Sequence, residues 1–436
     1  MIDLGNMQVV VLMGGLGSRL KDYTKECPKP LVDVSGKPFF DYQLELLMAW
    51  GFKKFLFLVG YRANMIEDYY GNGNDRGISI EYCYDGEELL GTLGAVRRAY
   101  DYLEDDFMLI YGDSFMDIDY AETVYRYEMG KAKGQKALMT VLRNNNRFDK
   151  SNVVMNEGTL VLYDKVNTTP EMDYIDYGVN VYEKSLFDKY EKGVKYDLAQ
   201  LQNELSVNGQ MAAQIVTKRF YEIGSPQSLA EFTEYVGRRI SESNPAVFVD
   251  RDGVINEIVW NEDIEQLDSP LTKEQFAFLP GAIEGLRKMA QKGYYIFIVT
   301  NQPAAAKGKT SLATLYDINT YMIDALAQEG VYVDDIYMCP HYPKLLPMTK
   351  ETFLIKECNC RKPKPGLIYR ALRKYNIDLT RSYMIGDSCT DIKAGAAVGV
   401  QTIFIGDLKC DLCKKLDDVS PTFIAANLEE AAKVVQ

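Results

Sequence analysis

Short apolar runs alternate along this chain with longer stretches of mixed polarity. Residues 8–13 form the first run and end in Gly14-Gly15; residues 55–59 form a second, and residues 107–111 a third that stops at Gly112-Asp113. Continuous apolar runs of this length suit strands buried on both faces, and the amphipathic stretch 40–50 suits a helix laid over them. The alternation predicts a mainly parallel sheet covered on both faces, with ligands collecting beyond the carboxyl ends of its strands. Residues 237–245 interrupt the pattern with a polar string that ends at Pro245. The first-strand pattern then restarts at 246–249 and runs into Asp250-Arg251-Asp252-Gly253. Helices are predicted over 282–291 and 310–328, and strands over 295–300, 383–385 and 402–405. The expected fold class is α/β with two domains in series, residues 1–240 and 246–436.

Composition narrows the partners. A chain of 436 residues is too long for one core, and its 47% apolar and 25% charged residues are globular values. A net charge of -13 and a pI near 4.9 repel a nucleic-acid backbone or an anionic lipid surface. No nucleic-acid or membrane partner is expected; small phosphorylated molecules need only a local basic pocket. No apolar stretch approaches the ~20 residues that span a bilayer, and Met1-Ile2-Asp3 leads into a strand without a basic leader. Cys27, Cys83 and Cys389 stand apart from one another, which fits a reducing, cytoplasmic compartment.

The second half carries two groups of chemical residues. Asp250 and Asp252 lie two apart just past a strand, where the turning chain can aim both carboxylates at one pocket. A phosphomonoester carries two negative charges, so a carboxylate attacks it only where a cation and fixed donors offset the repulsion. Asp387, in Gly386-Asp387-Ser388 at another strand end, can complete a Mg²⁺ site with Asp250. Thr300 ends a third strand, and Lys362 opens a Lys-Pro-x-Pro-Gly string, adding a hydroxyl and an ammonium. The second group is Cys339-Pro340-His341 and Cys358-Asn359-Cys360, which gather three thiols round the chain's only histidine. Three thiols and an imidazole are the ligand set of a closed, structural Zn²⁺ site. Cys410 and Cys413 have a similar spacing but no second pair to join, and the scattered tyrosines suit half-buried packing.

These strings, in this order, resemble the haloacid-dehalogenase-type phosphatases over residues 247–406. The resemblance implies that Asp250 is a nucleophile forming an aspartyl-phosphate and Asp252 the general acid and base. Thr300 then orients the phosphoryl group, Lys362 neutralises it, and Asn301 and Gln302 contact substrate. Asp250, Asp252 and Asp387 hold Mg²⁺, and Asp391 holds Lys362 or the metal's waters. The paired Cys/His knuckles resemble the zinc loop of the heptose-bisphosphate and histidinol-phosphate phosphatases, which implies that Arg361 is carried to a second phosphate. One departure stands out: Pro303-Ala304-Ala305-Ala306 follows Gln302 where those families continue Ser-Gly-x-x-x-Gly, and proline has no amide to donate.

In the first half, Gly14-Gly15-Leu16-Gly17-Ser18-Arg19 follows the opening strand, trailed by Pro28-Lys29-Pro30-Leu31. Glycines let backbone amides close round a triphosphate, while Arg19 and Lys29 add charge. The string is neither a P-loop nor a dinucleotide fingerprint. Together with Gly91-Thr92-Leu93-Gly94 and Asp164-Lys165, it resembles the sugar-phosphate nucleotidyltransferases over residues 8–236. That resemblance implies a Rossmann-like domain in which Gly14, Gly15, Gly17, Ser18 and Arg19 bind nucleotide phosphates. Gly91, Thr92 and Gly94 then contact the nucleoside, Lys29 acts with Arg19 on the transferring phosphate, and Lys165 holds the sugar phosphate. Asp113 and Glu222 hold a second Mg²⁺.

The two resemblances make sense together if one domain produces the sugar 1-phosphate that the other consumes. They imply hydrolysis of the 7-phosphate of D-glycero-D-manno-heptose 1,7-bisphosphate and nucleotidyl transfer, GTP favoured, to heptose 1-phosphate for surface polysaccharide. Two other readings remain open here: the same reaction types on another sugar or alditol phosphate, and one active domain beside a ligand-binding scaffold.

Overall fold

The computed structural model describes residues 4–15, 20–86, 90–156, 158–261, 266–406 and 419–436. The chain divides into two compact units, Met1–Tyr235 and Val236–Gln436. Among the described residues no helix is long and apolar enough to cross a membrane.

In the first unit the opening strands are β1 (Gln8–Leu12), β2 (Lys54–Val59), β3 (Ser79–Tyr84) and β4 (Asp106–Tyr111). They lie side by side in the order β4-β1-β2-β3, all parallel. Val9, Val10 and Val11 are fully buried, as continuous apolar strands must be when both faces are covered. The chain then adds β5 (Ala137–Arg143), the hairpin β6 (Val153–Asn156) and β7 (Thr159–Tyr163), the long β8 (Tyr174–Glu183), and β9 (Met211–Val216). Strand β8 runs antiparallel to both β4 and β5, so the nine-stranded sheet is mixed rather than mainly parallel. Its first half alternates half-buried and buried positions, a period-two pattern unlike the apolar runs of the opening strands. Helices α1 (Phe39–Trp50), α2 (Gly91–Arg98) and α3 (Leu198–Val207) connect strands of this unit.

The second unit holds a six-stranded, wholly parallel sheet. Its strands are β10 (Ala246–Val249), β11 (Tyr295–Asn301), β12 (Asp335–Cys339), β13 (Tyr383–Gly386), β14 (Gln401–Ile405) and β15 (Phe423–Ala425), in the order β12-β11-β10-β13-β14-β15. Successive residues of one strand enter different cores. Val247, Val249, Ile296 and Ile298 pack with α4 (Ala282–Gln291), α5 (Leu312–Gln328) and, after α6 (Cys389–Val398), α7 (Leu428–Val434). Ala246, Phe248, Phe297 and Val299 pack on the opposite face with Leu367, Ile368 and Ala394. Because β10 lies between β11 and β13, the carboxyl ends carrying Asp250, Thr300 and Asp387 are neighbours, each strand spacing being about 4.8 Å.

Helices α4 and α7 approach most closely at Gly285. A Cβ there would stand 2.5 Å from the carbonyl carbon and oxygen of Leu428. Gly285→Ala is therefore expected to force the helices apart and destabilise this unit by about 1–3 kcal/mol, despite alanine's better helix propensity. A denaturant titration checks it, and an unchanged midpoint would show that the contact relaxes freely.

Candidate active sites

In the second unit, four chain segments meet around one ammonium. Lys362 Nζ lies 2.8 Å from Asp250 Oδ1 and 2.6 Å from Asp391 Oδ1, and donates to the Val299 carbonyl at 2.7 Å. Burial alone pulls the Lys362 proton affinity down, but Asp250 and Asp391 outweigh it and hold it above the usual lysine value. Asn301 fixes the backbone that presents this lysine: its Oδ1 accepts from the Lys362 amide at 3.0 Å and its Nδ2 donates to the Lys362 carbonyl at 3.1 Å.

Asp250, Asp387 and Asp391 bring carboxylate oxygens within 4.8 Å of one another. Burial raises the Asp250 carboxyl to about 8; Lys362 opposes the rise, and Asp391 and Asp387 add to it. Burial and Asp391 likewise raise Asp387 to about 7. Three desolvated carboxylates sharing one ammonium lack positive charge, and oxygen-only donors of this kind fit a hard divalent cation. Two glycines make the crowding possible. A Cβ on Gly253 would stand 2.1 Å from Asp387 Oδ2, and one on Gly386 would stand 2.2 Å from Asp391 Cβ.

The Asp252 carboxylate is not part of that cluster. Its Oδ1 accepts from Arg251 Nε (3.0 Å), Arg251 Nη2 (2.9 Å) and Asn256 Nδ2 (3.1 Å), and its Oδ2 from Ser269 Oγ (2.7 Å) and Gln302 Nε2 (2.6 Å). Burial pushes this carboxyl up, but Arg251 and the side-chain hydrogen bonds more than reverse it, leaving it below the usual aspartate range. The cause is Arg251 itself: the guanidinium is fully buried, takes its counter-charge from Asp252 and donates a further bond to Asn319 Oδ1 at 2.8 Å. The Asp252 side chain, expected as a metal ligand, lies outside the three-carboxylate cluster and is ion-paired with Arg251. Gln302, fully buried, bonds Asp252 and, at 2.9 Å, Thr300 Oγ1. It and Asn301, expected to contact substrate, are hydrogen-bonded to Asp252, Thr300 and the Lys362 backbone.

Cys339, His341, Cys358 and Cys360 bring three sulfurs and one ring nitrogen within 4.8 Å of one another. The Sγ atoms of Cys339 and Cys358 are 3.7 Å apart, and His341 Nδ1 is 3.8 Å from Cys339 Sγ and 3.2 Å from Cys360 Sγ. Metal–sulfur arms of ~2.3 Å set tetrahedron edges near 3.8 Å, so the set fits a closed four-ligand metal site. Hydrogen bonding from Cys339 lowers the Cys360 thiol to about 4, and the same contact with burial raises Cys339. The following loop is tied to the turn after Gln302: Thr349 Oγ1 donates to the Ala306 carbonyl at 2.7 Å. In that turn the Pro303 carbonyl accepts from the Lys307 amide at 2.9 Å. Arg361 stands over the Tyr342 ring, 5.9 Å from its centroid, with Nη1 buried and unpartnered.

In the first unit a cleft of about 260 Å³ opens at the carboxyl ends of β1 and β4, lined by Gly14, Gly15, Lys29, Gly91, Thr92 and Asp113. Lys29 Nζ pairs with Asp113 Oδ2 at 2.8 Å. The short pairing of Tyr221–Glu222 with Ser114–Phe115 sets Glu222 opposite Ser114, next to Asp113. Gly91 and Gly94 serve close packing as well as the cleft. A Cβ on either would meet the carbonyl oxygen of Tyr196 or Val194, at 2.5 and 2.7 Å. Gly94 is not among the lining residues. Thr92 Oγ1 accepts from the Leu198 amide at 2.9 Å, joining α2 to α3. Lys165 is exposed, on a turn where Asp164 Oδ1 accepts from the amides of Val166 and Asn167, both at 2.8 Å. Gly17, Ser18 and Arg19, like Cys410 and Cys413, lie outside the described residues. The sequence reading passed over Arg251, whose neighbours drew attention first, and Asp85, which lines the same cleft just past β3. A carboxylate directly after a strand of the parallel sheet is the signal that would have found Asp85.

Two phosphate-handling centres, each at the carboxyl edge of its own α/β sheet, define a two-domain enzyme of phosphoryl chemistry. Residues 8–238 match the nucleotidyl transferase family, and residues 359–431 match the HAD-hydrolase-like family. The chain is 36% identical over 156 residues to the D-glycero-beta-D-manno-heptose-1,7-bisphosphate 7-phosphatase of Rhodopseudomonas palustris, covering 36% of this chain and 80% of that protein. Among solved structures, HddC from Yersinia pseudotuberculosis complexed with GMP-PN is 24% identical, with a TM-score of 0.43 over 52% of this chain and 99% of that one. The D,D-heptose 1.7-bisphosphate phosphatase of B. bronchiseptica is 30% identical, with a TM-score of 0.35 over 44% of this chain and 97% of that one. The chain belongs to the nucleotidyl transferase family through its first unit and to the heptose-bisphosphate phosphatase family through its second, and it is a bifunctional nucleotidyltransferase and phosphatase.

A divalent cation that relieves the Asp250, Asp387 and Asp391 crowding stabilises the folded second unit by mass action. Magnesium titrated into the cation-free protein is expected to raise its unfolding temperature progressively, and Asp387→Asn to flatten that response. Equal shifts in the two proteins would place the cation elsewhere.

Proposed function

We propose that the second unit removes the 7-phosphate of D-glycero-β-D-manno-heptose 1,7-bisphosphate. The first unit then transfers a nucleotidyl group from GTP to the heptose 1-phosphate left behind, releasing pyrophosphate, as a cytoplasmic step toward surface polysaccharide. The observation that carries this reading is the Asp250, Lys362, Asp391 cluster placed beside a Cys/His knuckle, on the same chain as a glycine-lined cleft bearing Lys29 and Asp113. The product of the first chemistry is the acceptor for the second.

In the phosphatase unit, Asp250 Oδ attacks phosphorus as the bond to the sugar oxygen breaks, and water then hydrolyses the aspartyl-phosphate. Asp252 gives a proton to the departing oxygen and takes one from the water. Arrival of the phosphate dianion adds like charge beside Asp252 and raises its proton affinity from the low value held in the empty site. Lys362 and Thr300 hold the phosphoryl oxygens, and Arg361 holds the phosphate that is kept. Asp250 and Asp387, with Asp391 beside them, would hold Mg²⁺, whose charge would let an anion approach an anion. Cys339, His341, Cys358 and Cys360 would hold Zn²⁺ as a structural ion, and their cluster would keep the loop and Arg361 in place.

In the transferase unit, an oxygen of the sugar 1-phosphate attacks the α-phosphorus and the pyrophosphate leaves. No covalent enzyme group takes part. Lys29, with Arg19, neutralises the reacting phosphates and Lys165 holds the sugar phosphate, while Asp113 and Glu222 hold a second Mg²⁺.

Incubating the purified protein with the bisphosphate and each nucleoside triphosphate tests the reading. GDP-heptose is expected together with phosphate from the hydrolysis and pyrophosphate from the transfer, and phosphate release with no nucleotide sugar would remove the coupling. Asp250→Asn should lower phosphate release by 10³-fold or more, on the order expected for loss of a nucleophile, while transfer to supplied heptose 1-phosphate continues. His341→Ala is expected to lose zinc by elemental analysis and to raise the phosphatase KM more than it lowers kcat; full zinc retention would count against the ligand assignment.

A further inference from the structure

The leaving-group chemistry asks more of Asp252 than its hydrogen bonds at first allow. Arg251 Nε and Nη2 and Asn256 Nδ2 all donate to Oδ1, while Ser269 Oγ and Gln302 Nε2 donate to Oδ2. A carboxylate has about four lone-pair sites, so these donors already fill it. Neither a departing sugar oxygen nor an attacking water finds a place there until one donor withdraws. The nitrogen donors are fixed at both ends. Arg251 also bonds Asn319 Oδ1 at 2.8 Å, Asn256 Nδ2 also donates to the Glu257 carbonyl at 2.8 Å, and Gln302 Nε2 also donates to Thr300 Oγ1 at 2.9 Å. Guanidinium and amide nitrogens of this kind donate and never accept. Ser269 Oγ differs on both counts. Among the described residues its hydroxyl has no hydrogen-bond partner besides Asp252 Oδ2, at 2.7 Å, and it turns about a single bond. A hydroxyl also accepts as readily as it donates.

The backbone that carries this hydroxyl is anchored. Between β10 and α4 the chain makes two short antiparallel strands, Val259–Asn261 and Gln266–Asp268, and Ser269 follows the second directly. Asp268 pairs with Lys309 in the turn after Gln302 and accepts from the Ser269 amide at 2.9 Å. We infer that Ser269 is a positioning residue for Asp252. Its hydroxyl turns aside so that the sugar oxygen reaches Oδ2, then turns back to donate as negative charge gathers on that oxygen. In that step the bond from Asp250 to phosphorus forms and the bond from phosphorus to the sugar oxygen breaks. The electron pair goes to the sugar oxygen, which takes the proton from Oδ2. Oδ1, held by three N–H donors, stays an acceptor throughout. This rests on the proposed role of Asp252 and assigns the proton to one of its two oxygens.

Two esters separate this role from a merely structural one. The sugar leaves the bisphosphate as an alkoxide that needs a proton, whereas nitrophenolate leaves 4-nitrophenyl phosphate without one. The kcat/KM value covers only the steps through that first departure, so hydrolysis of the shared aspartyl-phosphate does not enter it. In the full chain carrying Ser269→Ala, the ratio of kcat/KM for the bisphosphate to that for the aryl ester is expected to fall about tenfold or more, the low end for one hydrogen bond to a charged group. Ser269→Thr keeps the hydroxyl and is expected to restore the ratio. Because the ratio is taken within each protein, it does not depend on the fraction folded. Equal losses on the two esters, or no loss on either, overturn the assignment. Glycerol 3-phosphate, a simple alkyl ester, keeps the two readings apart. If the wild type cleaves it but not the heptose bisphosphate, and Ser269→Ala lowers its ratio to the aryl ester, the role of Ser269 stands and the proposed substrate fails. If the bisphosphate is cleaved and its ratio does not move, the Ser269 assignment alone is lost.

Discussion

An ammonium with almost no water around it sits between two carboxylates at the centre of the second unit. Lys362 is 4% exposed, Asp391 fully buried, and Asp250 opens only toward the site. None of the three is tolerable alone in that position, since an unpaired buried charge loses its solvation without replacement. Each therefore requires the others, and they come from three different strand or loop ends: after β10, before the helix at Gly366–Lys374, and within the first turn of α6. Removing one member of such a group leaves a buried charge uncompensated, a loss of about 3–5 kcal/mol, against less than ~1 kcal/mol for an exposed pair such as Lys189 with Glu204. The fold of the carboxyl edge and the phosphate pocket are the same set of contacts.

The first unit reaches a similar end by another route. Its cleft is shaped less by charges that demand one another than by side chains that are missing. Gly14 and Gly60 open space for Asp85, and Gly91 and Gly94 let the backbone at Val194 and Tyr196 press onto α2. Among the described lining residues, Lys29 and Asp113 keep some exposure and form one simple pair, with the Asp85 carboxylate apart from them. A site that admits a large, flexible trianion gains from this arrangement, because polar backbone and open volume conform to the ligand without first breaking a buried network.

Much of this was legible in the chain because strand-end chemistry leaves a regular mark. Apolar runs ending in Asp250, Thr300 and Asp387 located β10, β11 and β13 and the groups that follow them, and the spacing of Cys339, His341, Cys358 and Cys360 located a cluster that the fold does assemble. Strand β8 escaped because its alternating first half looks nothing like a doubly buried strand. The behaviour of Asp252, Asn301 and Gln302 escaped for a different reason. Whether a polar side chain faces substrate or a neighbour depends on which backbone groups come within 3 Å of it, and no linear spacing encodes that Gln302 meets Asp252 or that Asn301 meets the Lys362 backbone. Arg251 was hidden by its position between two aspartates that seemed sufficient on their own.

The wholly parallel sheet of the second unit has one further consequence. Every group with chemistry to perform hangs from the carboxyl edge, while the chain enters β10 from the amino edge through residues 237–245. A covalent connection made at that edge does not cross the substrate's path, and β10, though central to the sheet, needs only a short lead-in to start it. Such a topology makes a phosphatase that accepts an upstream segment without redesign of its own catalytic edge.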